Sequence, residues 1–523
     1  MFRKISIFIF LFPVFLNAQF VPGWQHLDPQ IDSVLGISTN RAYEYLKNKQ
    51  SKQVIVAIID NGAELTHEDL KGQFWINPNE IEGNGIDDDK NGYVDDIHGW
   101  NFLGNSRGEN IKRETTELTR FYGTLSKKFE KSDSTRFNQK EWTEFRQYHK
   151  IKQEYQKQLE EKNEEIYLYQ NILFNCRETD KILKEFLKKD SYSEVDLKSI
   201  PDSVENACSA AKYMLKVSMA GLSISRLEGM IDNNKQDLET RLNPDFNIRK
   251  KIIGDKPDDL NDNKYGNNQV DAQSPYHGTG VAGIIGALYN NIGVDGIAKN
   301  VKLMILRALP NGDEQDKDVA LSILYAVNNH ADIISCSFGK PLSAHPEFVE
   351  YAIKKAEQAG VLIVHASGNN GQNNDSIPTY PTGYYADGSR ATNWINVGAS
   401  GVKDDENLLA YFSNYGKKSV DVFAPGVDIN ACILNNKYEL SSGTSIAAPV
   451  VAGIAAVLKS YYPKLKAEQM KEIIIKSTYK PKTNKINLPN NQNVKVSLDQ
   501  ISVSGGIASL YNALLLAEKD YPK

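Results

Sequence analysis

The apolar residues of this chain fall into two patterns. The first is the unbroken run. Residues 54–59 read Val-Ile-Val-Ala-Ile-Ile with no polar position, and the run ends in Asp60-Asn61-Gly62. A strand apolar on both sides is what a parallel sheet covered on both faces requires. Shorter runs of the same kind predict strands over residues 301–306, 332–338, 361–366, 394–399 and 420–423. Between them, helical spacing predicts helices over 318–328 and 346–359. One more is predicted over 39–47 and another over 507–518. Alternating strand and helix argues an α/β fold, a doubly wound and mostly parallel sheet.

The second pattern interrupts the first. From about residue 105 to 250 glycine becomes sparse, and Lys, Glu, Gln and Leu rise. From Phe145 through Cys176, apolar and tolerated polar positions alternate at spacings of four and three. Val204 through Ser225 repeats that spacing after Pro201 and Asp202. These are coiled-coil-like seams on two helices, which fold back most simply as an antiparallel hairpin. Cys176 ends one seam and Cys208 begins the other, so the hairpin predicts a Cys176–Cys208 disulfide. The predicted organisation is a signal peptide over 1–18, a first part of the main domain over 19–104, a long α-helical insertion over 105–250, and the second part over 251–523.

The signal peptide rests on Arg3 and Lys4, the apolar run 5–16, and a small residue, Ala18, ahead of Gln19. It predicts an exported chain, periplasmic, at the cell surface or secreted. The residue directly after the predicted cut is Gln19 and not a cysteine, and no transmembrane segment is predicted in the mature chain. A net charge of −5 gives no support for a nucleic-acid partner.

Candidate chemistry sits at the ends of the apolar segments. Gly443-Thr444-Ser445 opens a segment of Ala, Val, Ile and Gly, with Pro449 expected in its first turn. A serine there faces a helix N-terminus, which suits a nucleophile whose reaction develops an oxyanion. His277 opens a second small-residue helix, Asp60 ends the first strand, and Asn369 follows the strand at 361–366. In an open parallel sheet, strand C-termini and helix N-termini share one edge, where sites form. Asp, His and Ser in that chain order can serve as orienter, base and nucleophile, with Asn369 as a neutral oxyanion donor.

These stretches resemble the subtilase family of serine peptidases. Ile58-Ile59-Asp60-Asn61-Gly62, His277-Gly278-Thr279 and Gly443-Thr444-Ser445 with Ala447-Ala448-Pro449 are similar to its three catalytic motifs. Asn369 in Ala366-Ser367-Gly368-Asn369 is similar to its oxyanion asparagine. The resemblance implies a serine endopeptidase acting on proteins or peptides, with no cofactor needed for the chemistry. It implies a substrate strand at Ser335, Ser337, Phe338 and Gly339, and pocket walls at Ala366, Ser367 and Gly368. Gly280 and Ile446 depart from the family's usual His and Met. The insertion lies outside the resemblance. It is expected to emerge by the active-site edge and to gate or extend substrate access. The alternative reading is a binding or adhesion protein on an inactive protease scaffold that uses the insertion as its surface.

One loop carries a different chemistry. Asp87, Asp89, Asn91 and Asp95 alternate around a glycine, Gly92, at the sixth position of a calcium-loop pattern. His98 stands where the twelfth-position Glu would be. The loop is a candidate structural calcium site or an Asx-rich turn.

Overall fold

A computed structural model describes residues 21–522. The predicted signal peptide lies outside the described residues. The centre is a seven-stranded sheet in the order β2-β3-β1-β4-β5-β6-β7, parallel throughout. The strands are β1 (Val54–Asp60), β2 (Gly99–Asn101), β3 (Val301–Arg307), β4 (Ile333–Cys336), β5 (Leu362–Ala366), β6 (Trp394–Ser400) and β7 (Val422–Pro425). Most of these strands are buried end to end, as continuous apolar runs require. Strand order reverses at β1, which has β3 on one side and β4 on the other. A crevice therefore opens at the carboxyl end of β1, where Asp60 sits.

Helices and two hairpins surround the sheet. In chain order the first helices are α1 (Thr39–Leu46), α2 (Glu117–Phe129), α3 (Gln139–Leu187), α4 (Glu194–Lys198), α5 (Glu205–Met219), α6 (Ile224–Glu239) and α7 (Ile248–Ile252). Then come α8 (Tyr276–Gly286), α9 (Asp316–Asn328), α10 (Pro346–Ala359), α11 (Thr444–Tyr461), α12 (Ala467–Lys476) and, nearest the carboxyl end, α13 (Leu510–Asp520). The hairpins are β8 (Ile429–Ile433) with β9 (Lys437–Ser441), and β10 (Ile486–Leu488) with β11 (Asn491–Val496). Helices α8 and α11 share a core with one sheet face, through residues such as Val281, Ile285, Val450 and Ile454. Helices α9 and α10 cover the other, through Val319, Ile323, Val349 and Ile353. Among the described residues, α11 is the only helix long and apolar enough to cross a membrane. It is 83% buried inside the fold.

Helices α2 to α7 form an arm built on α3, whose 49 residues span about 74 Å at 1.5 Å per residue. Instead of one partner helix, α2, α5 and α6 pack along it in succession. The predicted second seam breaks at Gly221, whose φ is +70°, and α6 restarts on a Ser223 cap. The predicted disulfide is absent: Cys176 and Cys208 are both free thiols. Helix α3 runs on past Cys176 to Leu187, and α4 fills the turn. Cys208 consequently packs beside Leu183 and Leu197, while Cys176 lies among Leu173, Val217 and Leu227. The seam predicts which face packs but not the register, and the register separates the two sulfurs.

Candidate active site

At Asp60 the sheet stops while its neighbours continue. The β3 chain runs on past Arg307, and the Ala308 and Leu309 N–H groups donate to the Asp60 carbonyl. The β4 chain runs on through Ser337 to Lys340. Asp60 is 1% exposed. Its two carboxylate oxygens each lie 2.9 Å from His277 Nδ1, and Oδ1 also accepts the Asn61 N–H at 2.7 Å. Helix α8 reaches this point because residue 278 is glycine. A Cβ there would fall 1.9 Å from the Gly62 carbonyl oxygen. The His277 side chain is 37% exposed. Burial pushes its pKa down, but the Asp60 charge and hydrogen bond outweigh that and hold it above the ordinary histidine value. With Nδ1 committed to Asp60, Nε2 is the nitrogen left to take a proton.

Ser445 is the second residue of α11, where backbone N–H groups have no helical acceptor. Its hydroxyl and the Asn369 amide converge on Gly443. A Cβ at that glycine would lie 2.9 Å from Ser445 Oγ and 3.6 Å from Asn369 Nδ2. The orientation of Asn369 is fixed by Thr444, which donates its N–H and its hydroxyl to Asn369 Oδ1, each at 2.9 Å. That leaves Nδ2 as the outward donor. The loop holding Asn369 is pinned in turn by Asn414, fully buried. Its Nδ2 donates to the Ser367 carbonyl at 3.0 Å, and its Oδ1 accepts the Asn370 N–H at 2.9 Å.

The substrate-strand expectation needs one correction. Ser335 is paired on both edges, with Ile58 and with Val364, and is fully buried. Its backbone is spent on the sheet and cannot pair with a peptide. Ser337, Phe338 and Gly339 lie beyond the last paired residue of β4. Ala366 ends β5, and Ser367 and Gly368 follow it. Between these two walls stands Thr379. A Cβ at Gly339 would meet its Cγ2 at 2.6 Å, and a Cβ at Gly368 its Oγ1 at 3.3 Å. Thr379, Thr444 and Asn414 escaped the sequence reading. Thr444 was within the serine motif, but the other two are single polar residues in loops with no period.

Pro449 is also displaced from expectation. It is the sixth residue of α11, inside the helix rather than in its first turn.

The arm is rooted beside this site. The Glu114 N–H donates to the Asn311 carbonyl, and the Asn311 N–H to the Lys112 carbonyl, so the incoming chain lies along the β3 extension. Lys340, one residue past Gly339, is 1% exposed at its side chain. Its Nζ contacts Glu117 Oε2 at 2.6 Å and Asp316 Oδ1 at 2.9 Å, and donates to the Glu314 carbonyl at 2.8 Å. Burial pushes the Glu314 carboxyl up to about 7.

In the acidic loop, Asp87 and Asp89 come within 4.8 Å of Glu80, which sequence spacing did not bring in. Asp95 is turned away, its oxygens accepting the Asn84 and Gly85 N–H groups. The Asn91 amide donates to Asp89 and Asp96. Three clustered carboxylates are a donor set for a hard cation, and Glu80 stands in it where Asp95 does not.

A family model described as the subtilase family matches residues 218–498. The chain belongs to the subtilase family. The match includes His277, Asn369 and Ser445, and Asp60 precedes it. Among relatives, the thermostable alkaline protease of Halalkalibacterium halodurans is 37% identical over 199 residues, 38% of this chain and 51% of that one. The major intracellular serine protease of Bacillus subtilis is 34% identical over 273 residues, 51% of this chain and 77% of the relative. The minor extracellular protease Epr of the same organism is 36% identical over 204 residues, 38% and 29% respectively. Apart from the intracellular protease, the chain spans about half or less of the length of these relatives. As their names say, similar subtilases occur both inside and outside the cell.

Proposed function

We propose that the chain is an exported serine endopeptidase that hydrolyses peptide bonds in proteins or peptides. The observation that carries this is the pairing of Asp60 with His277 at 2.9 Å at the same sheet edge where Ser445 Oγ and Asn369 Nδ2 converge. Ser445 attacks the scissile carbonyl. His277 Nε2 takes the hydroxyl proton and returns it to the leaving amine, while Asp60 holds the tautomer and stabilises the imidazolium. Asn369 Nδ2 and the Ser445 N–H bind the oxyanion. The extended substrate lies along Ser337–Gly339, with its side chain between the two walls above Thr379. The arm, rooted on the β3 extension and on Lys340, borders the same cleft and limits which chains enter it. Glu80, Asp87 and Asp89 hold a structural calcium ion.

The test is labelling of the full chain by a fluorophosphonate probe beside Ser445→Ala. Wild-type labelling that disappears in the variant is expected. A folded wild-type chain that does not react would favour the inactive-scaffold alternative.

A further inference from the structure

Pro449 stands inside α11 and has no N–H. The carbonyl four residues before it, that of Ser445, therefore has no helical donor. A donor comes from across the sheet. The Ser337 hydroxyl donates to the Ser445 carbonyl oxygen at 2.8 Å. Ser337 is 5% exposed and is the first residue past the end of β4. A serine hydroxyl has one proton. With that proton given to Ser445, the side chain has none left for a substrate.

We infer that Ser337 is a positioning residue, whose hydroxyl supplies the hydrogen bond that Pro449 withholds and so holds the nucleophile's own carbonyl in place. This rests on the peptidase reading of the same site. The carbonyl is part of Ser445 itself, so fixing it fixes ψ at that residue and the direction in which its side chain and N–H leave the helix. In an ordinary helix the first turn is fastened to the second. Here one carbonyl of the first turn, that of Ser445, is fastened to the chain just past the strand that flanks the cleft, which registers the nucleophile against the substrate wall. Displacements of about 1 Å at a reacting atom can cost on the order of a hundredfold in rate, so one hydrogen bond at this place matters to kcat more than to binding.

The experiment compares wild type, Ser337→Ala, Ser337→Thr, Pro449→Ala and the Ser337→Ala/Pro449→Ala double variant. Each is checked for folding by thermal melting. The readouts are the fluorophosphonate labelling rate, which needs no contact with the substrate strand, and kcat and KM on a peptide. Ser337→Ala is expected to slow labelling and kcat about tenfold, with KM little changed, as a positioning loss should. Ser337→Thr keeps the hydroxyl and should stay near wild type. Pro449→Ala gives the Ser445 carbonyl a helical N–H and should restore most of the loss in the double variant. Ser337→Ala with wild-type rates would overturn the inference. So would a slowed Ser337→Ala that neither threonine nor the second substitution improves. A wild type that does not label at all would instead strike the peptidase reading.

Discussion

The sheet domain and the helical arm are built on opposite principles. The sheet domain buries whole elements: β1, β4 and β5 are covered on both faces, and α11 is buried nearly all round. The arm has no continuous core. Three small clusters are strung along α3, around Leu118, around Cys176 and around Leu183. Charges follow the same division. In the arm most ion pairs lie at the surface, as Arg177–Glu228 and Lys181–Glu178 do, where such pairs contribute little. At the arm's root, Lys340 with Glu117 and Arg249 with Asp318 are buried. The difference teaches where sensitivity should lie: chemistry in the sheet edge, cooperativity at the root, and tolerance at the tip.

The largest expected effect falls at the sheet edge. Asp60→Asn should lower kcat on the order of 10⁴-fold while the fold is kept, since the wrong tautomer is then held. The pH profile of kcat/KM sharpens this. The base must be neutral, and Asp60 holds the His277 pKa above 6.5, so wild-type activity should rise through a pH above that value. The rise should move to lower pH in the residual activity of the variant. Stability runs the other way. A raised histidine pKa contributes stability that is fully present below 6.5 and fades as pH rises through the folded value. A profile unmoved by Asp60→Asn would break the assignment.

Next is the root. Glu117→Ala leaves Lys340 buried with one carboxylate fewer, and should cost about 3 kcal/mol in denaturant unfolding. Hydrolysis of a folded protein should change more than that of a short peptide. Equal changes for both substrates would detach the arm from the cleft. At the tip, Leu183→Ala should cost about 2–3 kcal/mol, seen by hydrogen exchange as local opening of α4 and α5 with kcat unchanged. A drop in kcat would erase the distinction between root and tip. The smallest effect belongs to the acidic loop. Chelation of calcium should lower the melting temperature by about 2–4 °C, and Glu80→Gln should remove that response.

The sequence and the structure agree best where local pattern and tertiary role coincide. Residues 54–59 could only be a doubly covered strand, and 346–359 form the predicted helix residue for residue. Asp60 ends β1, His277 and Ser445 lie in the first turns of α8 and α11, and Asn369 follows β5, so all four stood out in the sequence as candidates. What escaped depends on register or on contacts through space. β2 is three residues with no period to read. Cys176 on α3 and Cys208 on α5 are both buried along the arm but at different levels. Glu80 joins Asp87 only because the intervening chain folds back. Ser335 and Ser337 look alike in sequence, and only pairing separates the one inside the sheet from the one past its end.

The arm's two ends meet. The Thr116 N–H donates to the Arg241 carbonyl, and the Asn105 amide to the Ile252 carbonyl. Val54 must nonetheless find Val301 to close β1 on β3, a contact across most of the first half of the chain. A folded arm shortens that search, because some 150 residues collapse to a single short step. The gain in closure entropy is only about 1 kcal/mol, yet it sets an order of events. Helices that need only near neighbours can form while the chain is still emerging. The aspartate and the histidine lie on either side of them in the chain, so bringing that pair together depends on the long-range pairing of β1 with β3.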